Sequence, residues 1–459
     1  MQHKALIIGG GISGLSAAYY LSKAGIRPTL LERQPRVGGV IQTCAQQGCL
    51  LEEGPDGFMA AKPWAMNLIR ELGLTDQVMG SNDHSRVTYI VKKGKLIPMP
   101  DGLMMMVPTK MLPLAETRLF SWGAKIRMGL EIFRQPRGPQ PDRSVYEFLL
   151  DHYGEECIDY LAEPLLAGVY GGDPREMSVN SVLGRFVEIE AKYGSLTRGV
   201  LATPRPKSSG GSFLLTLKGG LGQLVEALRP SADVVQADVE AVESFAGGFR
   251  VRAGGDWLEA EHVVLATPAG DAARVLQMMQ PELASLLAEI PYTSSITLSL
   301  GYRKNTFDHP LDGHGFLVPQ KERKHIFGCT WVGNKFDHRV PPNMVLLRCF
   351  LGGDAMLLND QAVVDAARSD LHSIMGLEAE PVFHNIARWP HSMAQYTVGH
   401  EKRVVRIEEL TRAIPGLYLA GNGYRGIGIP DCVRMGQDAA YKISAGYKPI
   451  EYKPEPQPV

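Results

Sequence analysis

At 459 residues the chain is too long for one compact core and is expected to form two or three domains. A net charge of −1, with 44% hydrophobic and 21% charged residues, is that of an ordinary globular protein with no overall drive toward nucleic acid. Six scattered cysteines offer no CxxC pair and no zinc-type His/Cys spacing, so no metal is expected and free thiols in a reduced, cytoplasmic setting are.

Apolar residues 4–8 form a run of strand length that ends in Gly9-Gly10-Gly11-Ile12-Ser13-Gly14. Ala17, Ala18 and Leu21 then recur at helical spacing, Gly25 closes the helix, and residues 27–31 read as a second strand ending in Glu32. This is a complete β-α-β unit. Gly9 permits the tight turn, Gly11 lets backbone approach phosphates, and Gly14 lets helix and strand pack closely. The helix N-terminus offers free N–H groups to a dinucleotide diphosphate, and Glu32 stands where an acid accepts from a ribose hydroxyl. No leader precedes the first strand, so a signal peptide is not expected, and no stretch approaches the ~20 apolar residues of a spanning helix.

Residues 50–58 leave a strand and turn sharply, 63–74 read as a helix, and 86–91 with 95–98 read as a hairpin around Lys93-Gly94. Residues 101–172 are mainly helical. They include an apolar, methionine-rich patch at Met104 to Met106 and an amphipathic helix over 118–134, with Phe120, Ala124, Met128 and Ile132 on one side. The polar side of that helix is basic through Arg118, Lys125, Arg127 and Arg134. The patch and helix suit either core packing or a membrane-facing surface. A strand-turn-helix spans 213–228, and short strands are expected over 232–242, 249–253 and 261–268. Residues 295–302, 315–319, 326–331 and 344–351 are spaced like an antiparallel meander, followed by a helix over 359–375. A strand ends at Gly421-Asn422, 432–445 read as the last helix, and the Pro-rich tail 449–459 is expected to fray.

Gly38-Gly39 with Val40 and Thr43, directly after the β-α-β unit, resembles the cofactor extension of the amine oxidase-like FAD superfamily. Leu51-Glu52-Glu53-Gly54-Pro55-Asp56, the segment Glu163-Pro164-Leu165-Leu166-Ala167-Gly168-Val169-Tyr170-Gly171-Gly172-Asp173-Pro174, and Gly421-Asn422-Gly423-Tyr424-Arg425-Gly426 leading to Ile429-Pro430-Asp431-Cys432 narrow this. Together with Trp389-Pro390, Gln395-Tyr396 and Gly399-His400, they resemble the oxygen-dependent protoporphyrinogen oxidases of haem biosynthesis along essentially the whole chain. The Ile429-Pro430-Asp431-Cys432 ending resembles the bacterial branch, part of which acts on coproporphyrinogen III.

The resemblance implies an α/β and α+β chain in three parts. A Rossmann-like FAD-binding domain would comprise residues 1–83, 213–290 and 386–459; an antiparallel-sheet substrate domain 84–100, 179–212 and 291–385; and a helical membrane-facing insertion 101–178. It implies six-electron oxidation of protoporphyrinogen IX to protoporphyrin IX, with O2 as acceptor and hydrogen peroxide released. Coproporphyrinogen III oxidation is the alternative, and a flavin amine oxidase the more distant one. By the same resemblance, Gly9, Gly11, Gly14, Glu32, Arg33, Gly38 and Gly39 hold the adenine half and diphosphate of FAD, and the Val239 backbone meets the adenine. Trp389, Gly421, Asn422, Ile427, Gly428 and Ile429 flank the isoalloxazine. Arg86 anchors a propionate, Leu317 and Phe336 sandwich pyrrole rings, and Gly168 lies opposite the flavin. Some related oxidases bond the flavin to a cysteine; His400 stands in that place here, so FAD is expected to be non-covalent. No Ser/His/Asp set or paired carboxylates suggest a catalytic side chain, and the flavin is expected to carry the chemistry. Attachment to the inner face of the cell membrane and a homodimer are compatible with the family.

Overall fold

The computed structural model describes residues 2–82, 87–203, 212–307 and 309–444, so Arg86 and the tail 449–459 lie outside the described residues. The chain opens with β1 (Gln2–Ile8), α1 (Ile12–Lys23) and β2 (Thr29–Glu32), and β2 returns parallel to β1. After α2 (Pro63–Glu71), β3 (Thr88–Lys92) and β4 (Lys95–Pro98) form a hairpin. Its turn residues Lys93 and Gly94 have φ of 52° and 68°, the left-handed pair that matches the twist of a tight hairpin.

The helical region follows as α3 (Trp122–Leu130), α4 (Val145–His152), a π turn (Ile158–Ala162), α5 (Glu163–Tyr170), α6 (Val179–Tyr193) and α7 (Leu196–Ala202). Ser144 and Glu147 close a reciprocal capping box at α4, satisfying two orphan donors at once. Next come β5 (Asp233–Gln236), β6 (Val239–Phe245), β7 (Gly248–Ala253), β8 (Asp256–Leu265) and α8 (Ala269–Leu276). The remainder is β9 (Tyr292–Arg303), β10 (Gly315–Leu317), β11 (Ile326–Trp331), β12 (Met344–Gly352), α9 (Asp360–Met375), β13 (Phe383–Ala394), α10 (His400–Arg412), β14 (Leu417–Leu419) and α11 (Ile429–Ile443).

Two sheets organise these elements. The first has the order β5-β2-β1-β8-β7-β6, with β14 also on β8, so three separated chain segments meet in one sheet. Strands buried on both faces supply its core, with Leu6, Ile7, Leu30, Leu31, Val263 and Leu265 at 1% exposure or less. The second has the order β13-β9-β12-β11-β10-β3-β4. It is antiparallel except at one seam: β10 runs parallel to β3, pairing Gly315 with Thr88. These two strands come from distant segments, so no turn fixes their relative direction.

Three expectations need correction. The segment 179–212 is expected in the substrate domain, but its residues Val179, Phe186, Ile189, Leu196 and Val200 share a core with Phe120, Met128, Phe148 and Leu161 of the helical region. The boundary at 385/386 falls inside β13, a continuous strand of the second sheet. The helix over 118–134 is shorter: Ser121 caps α3 by accepting from Ala124 N at 3.2 Å, and Glu131–Phe133 forms a separate 3-10 turn. Its inward face is as expected at Phe120 and Met128, yet Trp122, Ile126, Leu130 and Phe133 form a second apolar stripe facing outward at 59–72% exposure. In the methionine patch Met106 is buried and Met105 is 49% exposed. No helix among the described residues is long and apolar enough to cross a membrane.

Candidate cofactor and substrate site

The glycine cradle forms where the loop after β1 meets the loop after β2. Gly38 N donates to Gly10 O at 2.7 Å, and Gly11 pairs with Gly38 as an isolated parallel bridge. Gly9 adopts φ +103°, and a β-carbon there would stand 2.7 Å from Ala266 O on the far side of the turn. A β-carbon on Gly14 would overlap Gly9 O, whereas one on Gly11 would meet nothing within 4 Å. Gly11 therefore opens onto space that no protein atom fills, directly at the N-terminus of α1, where no side chain caps the helix. Glu32 accepts from Gly10 N at 2.7 Å and Gln34 N at 2.8 Å, which fixes the carboxylate at the rim while each oxygen keeps a second lone pair. Thr267 Oγ1, beside Gly9, is buried without a partner. An open anion cradle, a fixed acid and an orphaned hydroxyl fit a dinucleotide cofactor.

The other expected cofactor residues are less uniform. Arg33 pairs with Asp271 at 3.2 Å on an exposed edge. Val239 is buried at the start of β6, at a register shift and two residues beyond Ala237, whose N–H donates to Glu32 O at 2.9 Å. Trp389 Nε1 donates to Glu53 O at 2.7 Å. Arg36, not anticipated as a site residue, lies 5.9 Å from the Trp389 ring centroid and donates to Gly39 O at 2.8 Å. The side chain of Asn422 fastens its turn to the protein, with Nδ2 donating to Ser392 O at 2.8 Å and the backbone oxygen accepting from Tyr396 Oη at 2.8 Å. Gly421 has φ +145°, and Gly428 caps α11 without a side-chain bond. Asp431, in the first turn of α11, pairs with Lys62 at 2.6 Å. The glycine Gly436 lets α11 cross α1 closely, since a β-carbon there would overlap Ser13 O.

His400 is buried behind this turn. It stacks on Tyr396 with centroids 4.0 Å apart, and its Nε2 lies 3.1 Å from Tyr424 O. Burial outweighs the bond to Tyr424 and brings its pKa down to about 4. An unfolded histidine takes up its proton near pH 6.5, so between there and pH 4 the unfolded chain binds more protons than the fold. Stability should therefore fall on acidification across this window, by about 3 kcal/mol in all. Urea unfolding at stepped pH should show His400→Gln with a correspondingly flatter acid limb. An unchanged slope would mean that His400 is not held neutral in the fold.

Gly168, expected opposite the flavin, lies in the last turns of α5, and a β-carbon there would stand 3.3 Å from Leu317 Cδ2 on β10. These two residues are packed closely against each other, joining α5 to the second sheet. Phe336, expected to sandwich a pyrrole ring, is enclosed by protein atoms. It is 1% exposed, with the Arg339 and Lys335 cations 4.8 Å and 5.2 Å from its ring centroid and Gly57 packed near its edge. Those cations belong to a buried network that sequence reasoning missed. Arg339 meets Glu52 at 3.2 Å and Thr216 Oγ1 at 2.7 Å. Lys335 and Arg348 meet Asp56 at 2.8 Å and 3.2 Å, and Arg348 also donates to Gly54 O. Burial raises the Glu52 pKa. For Asp56, burial acts upward too, but Lys335 and Arg348 overcome it and hold the carboxyl well below its usual range. A β-carbon on Gly54 would overlap Val40 O, so this loop abuts the Gly38-Gly39 turn.

Comparison with known proteins matches residues 12–444 to the family described as flavin containing amine oxidoreductase. The coproporphyrinogen III oxidase of Bacillus subtilis (strain 168) is 32% identical over 95% of this chain and 96% of its own length. The human protoporphyrinogen oxidase is 28% identical over 96% of this chain and 98% of its own. A crystal structure from Exiguobacterium sp. 255-15, of a protein proposed to be a protoporphyrinogen oxidase, has TM-score 0.87 and 30% identity over 97% of this chain and 99% of that one.

Proposed function

The chain belongs to the flavin containing amine oxidoreductase family and is an FAD-dependent oxidoreductase; from that premise we propose that it oxidises a porphyrinogen to a porphyrin. Six electrons leave the macrocycle in three two-electron steps, with O2 as acceptor and hydrogen peroxide as product. The observation that carries this reading is likeness along nearly the whole chain to porphyrinogen oxidases. Coproporphyrinogen III is the preferred substrate, since the Bacillus subtilis relative at 32% identity bears that name while the human protoporphyrinogen oxidase stands at 28%. Protoporphyrinogen IX is the second reading.

Non-covalent FAD, when bound, supplies the two-electron redox chemistry. The chain's own residues position and enclose. Gly9, Gly11, Gly14, Gly38 and Gly39 with Glu32 hold the diphosphate and ribose, and Val239 meets the adenine through its backbone. Trp389, Gly421, Asn422 and residues 427–429 flank the ring system. Gly168 lies opposite the flavin, Leu317 meets a pyrrole ring, and Arg86 pairs a propionate through its planar guanidinium. Aromatisation drives the reaction, so no strong acid or base is assigned. Anaerobic mixing of the holoprotein with each porphyrinogen tests this. Bleaching of the flavin with appearance of porphyrin fluorescence is expected, faster with coproporphyrinogen III. Flavin that stays yellow with both would overturn the reading, and preference for protoporphyrinogen IX would select the second.

The outward stripe of Trp122, Ile126, Leu130 and Phe133, flanked by Arg118, Lys125 and Arg127, supports reversible attachment to an anionic membrane. Co-sedimentation with vesicles of phosphatidylserine should be clear at low salt, fall as salt rises, and drop at least about tenfold in Trp122→Ser/Phe133→Ser, which removes roughly 2 kcal/mol or more of apolar burial. Absence of binding at low salt would return the stripe to another role.

A further inference from the structure

We propose that Tyr396 is a positioning residue for the flavin: its hydroxyl closes the loop 422–426 and holds it in the shape that receives the isoalloxazine. The inference rests on the reading that Gly421, Asn422 and residues 427–429 flank that ring. One hydroxyl serves both ends of the loop. Tyr396 Oη donates to Asn422 O at 2.8 Å and accepts from Gly426 N at 2.8 Å. A phenol can do both, because its oxygen is donor and acceptor at once. Gly426 has φ +117°, and a β-carbon there would overlap the Asp431 side chain, so this end of the loop lies against the first turn of α11. The other end leads back through Gly421, at φ +145°, to β14.

The side chain that carries this hydroxyl is itself held from several directions. Its backbone is tied to the helical region, where Ser178 N donates to Tyr396 O at 2.7 Å and Met177 forms an antiparallel bridge with Thr397. The preceding residue is pinned twice. Gln395 N donates to Pro291 O at 2.8 Å, and Gln395 Nε2 donates to Tyr170 O, at the end of α5, at 2.7 Å. His400 stacks on the Tyr396 ring and reaches the middle of the same loop, with Nε2 3.1 Å from Tyr424 O. Tyr396 is buried, and burial pushes its phenol pKa up, so the hydroxyl keeps its proton and goes on donating to Asn422 O. The helical region and the cofactor loop therefore meet through one fixed side chain. A loop closed in this way before the cofactor arrives is spared the entropy of being ordered on binding.

Titration of the full-length chain, stripped of FAD, tests this. Tyr396→Phe keeps the stacked ring and loses only the hydroxyl. Its FAD affinity should fall about tenfold, and the visible circular dichroism of the bound flavin should change. ADP carries the adenine and diphosphate but no isoalloxazine, and should bind within about twofold of the parent. His400→Leu removes the ring that backs Tyr396 and should show the same split between FAD and ADP at smaller size; it answers the question if Tyr396→Phe does not fold. Tyr153→Phe is the control, since it deletes a buried hydroxyl 3.2 Å from Thr197 Oγ1 in the helical region. It should lower the melting temperature while leaving FAD affinity and flavin dichroism at the parent's values. Parent-like FAD binding and dichroism in Tyr396→Phe would overturn the proposal. Equal losses of FAD and ADP would overturn it too, because a general loosening of the fold gives that result. Porphyrinogen enters none of these measurements, so a holoprotein that binds FAD yet leaves porphyrinogen unoxidised overturns the functional reading and not this one.

Discussion

Gly14→Ala should yield a chain that is colourless on purification, with FAD affinity reduced at least about a hundredfold, or roughly 2.7 kcal/mol. The new methyl would overlap Gly9 O, a backbone atom that cannot rotate away, so α1 must lift from the turn it packs against. That movement displaces the helix N-terminus from the place where an anion is held, and it disturbs the crossing with α11 at Gly436. Apo stability should therefore fall as well. Gly11→Ala makes the contrast. Its backbone, at φ −69°, accepts any side chain, and the methyl meets no protein atom within 4 Å. The apo variant should melt with the parent and yet bind FAD poorly, because the methyl fills the space the diphosphate must enter. Flavin fluorescence titration beside thermal melting separates the two cases. If Gly11→Ala binds FAD like the parent, the open side of that residue is not the diphosphate side.

The cradle was legible because its signals are local. Glycines at fixed offsets, a helical period and an acid at the next strand end all lie within forty residues, and the structure assembles them as read. β13 was missed for a physical reason. Pro390 argues against a central strand, but β13 is the edge strand of its sheet, where a missing N–H faces no partner. The register shift between Thr293 and Ser295 and the left-handed His391 accommodate it further. In α3 the helical period was correct but could not say which face packs. Trp122, Ile126 and Leu130 recur at the same spacing as Phe120, Ala124 and Met128, and only the tertiary fold distinguishes them. The ion pairs of Asp56 and Glu52 with cations some 280 or more residues away have no local signature at all.

The largest stability loss is expected when that network is broken from the sheet side. Arg348 is 4% exposed and serves two acceptors at once, the Asp56 carboxylate and the Gly54 carbonyl. Arg348→Leu leaves Asp56 with Lys335 alone and strips Gly54 O of this donor, which should cost about 3–5 kcal/mol because a buried charge and a buried carbonyl lose their partner together. The pH dependence has a definite sign. The Asp56 pKa is depressed in the fold, so its contribution is present above the unfolded carboxyl value and is lost as pH falls below it. With one of its two cations gone the depression shrinks, and less stability should be lost on acidification in the variant than in the parent. Arg348→Lys restores the charge but not the spread of donors, so it should recover only part of the stability. The Gly54 loop abuts Val40, next to the cofactor glycines, and FAD affinity should fall along with stability. Urea unfolding at neutral and acid pH, with flavin titration on the same samples, measures all three effects. Arg348→Leu unfolding at the parent's urea midpoint would mean that the network is isoenergetic with an apolar side chain, and that Lys335 on Asp56 together with Trp389 and Asn385 on Glu53 holds the loop without Arg348.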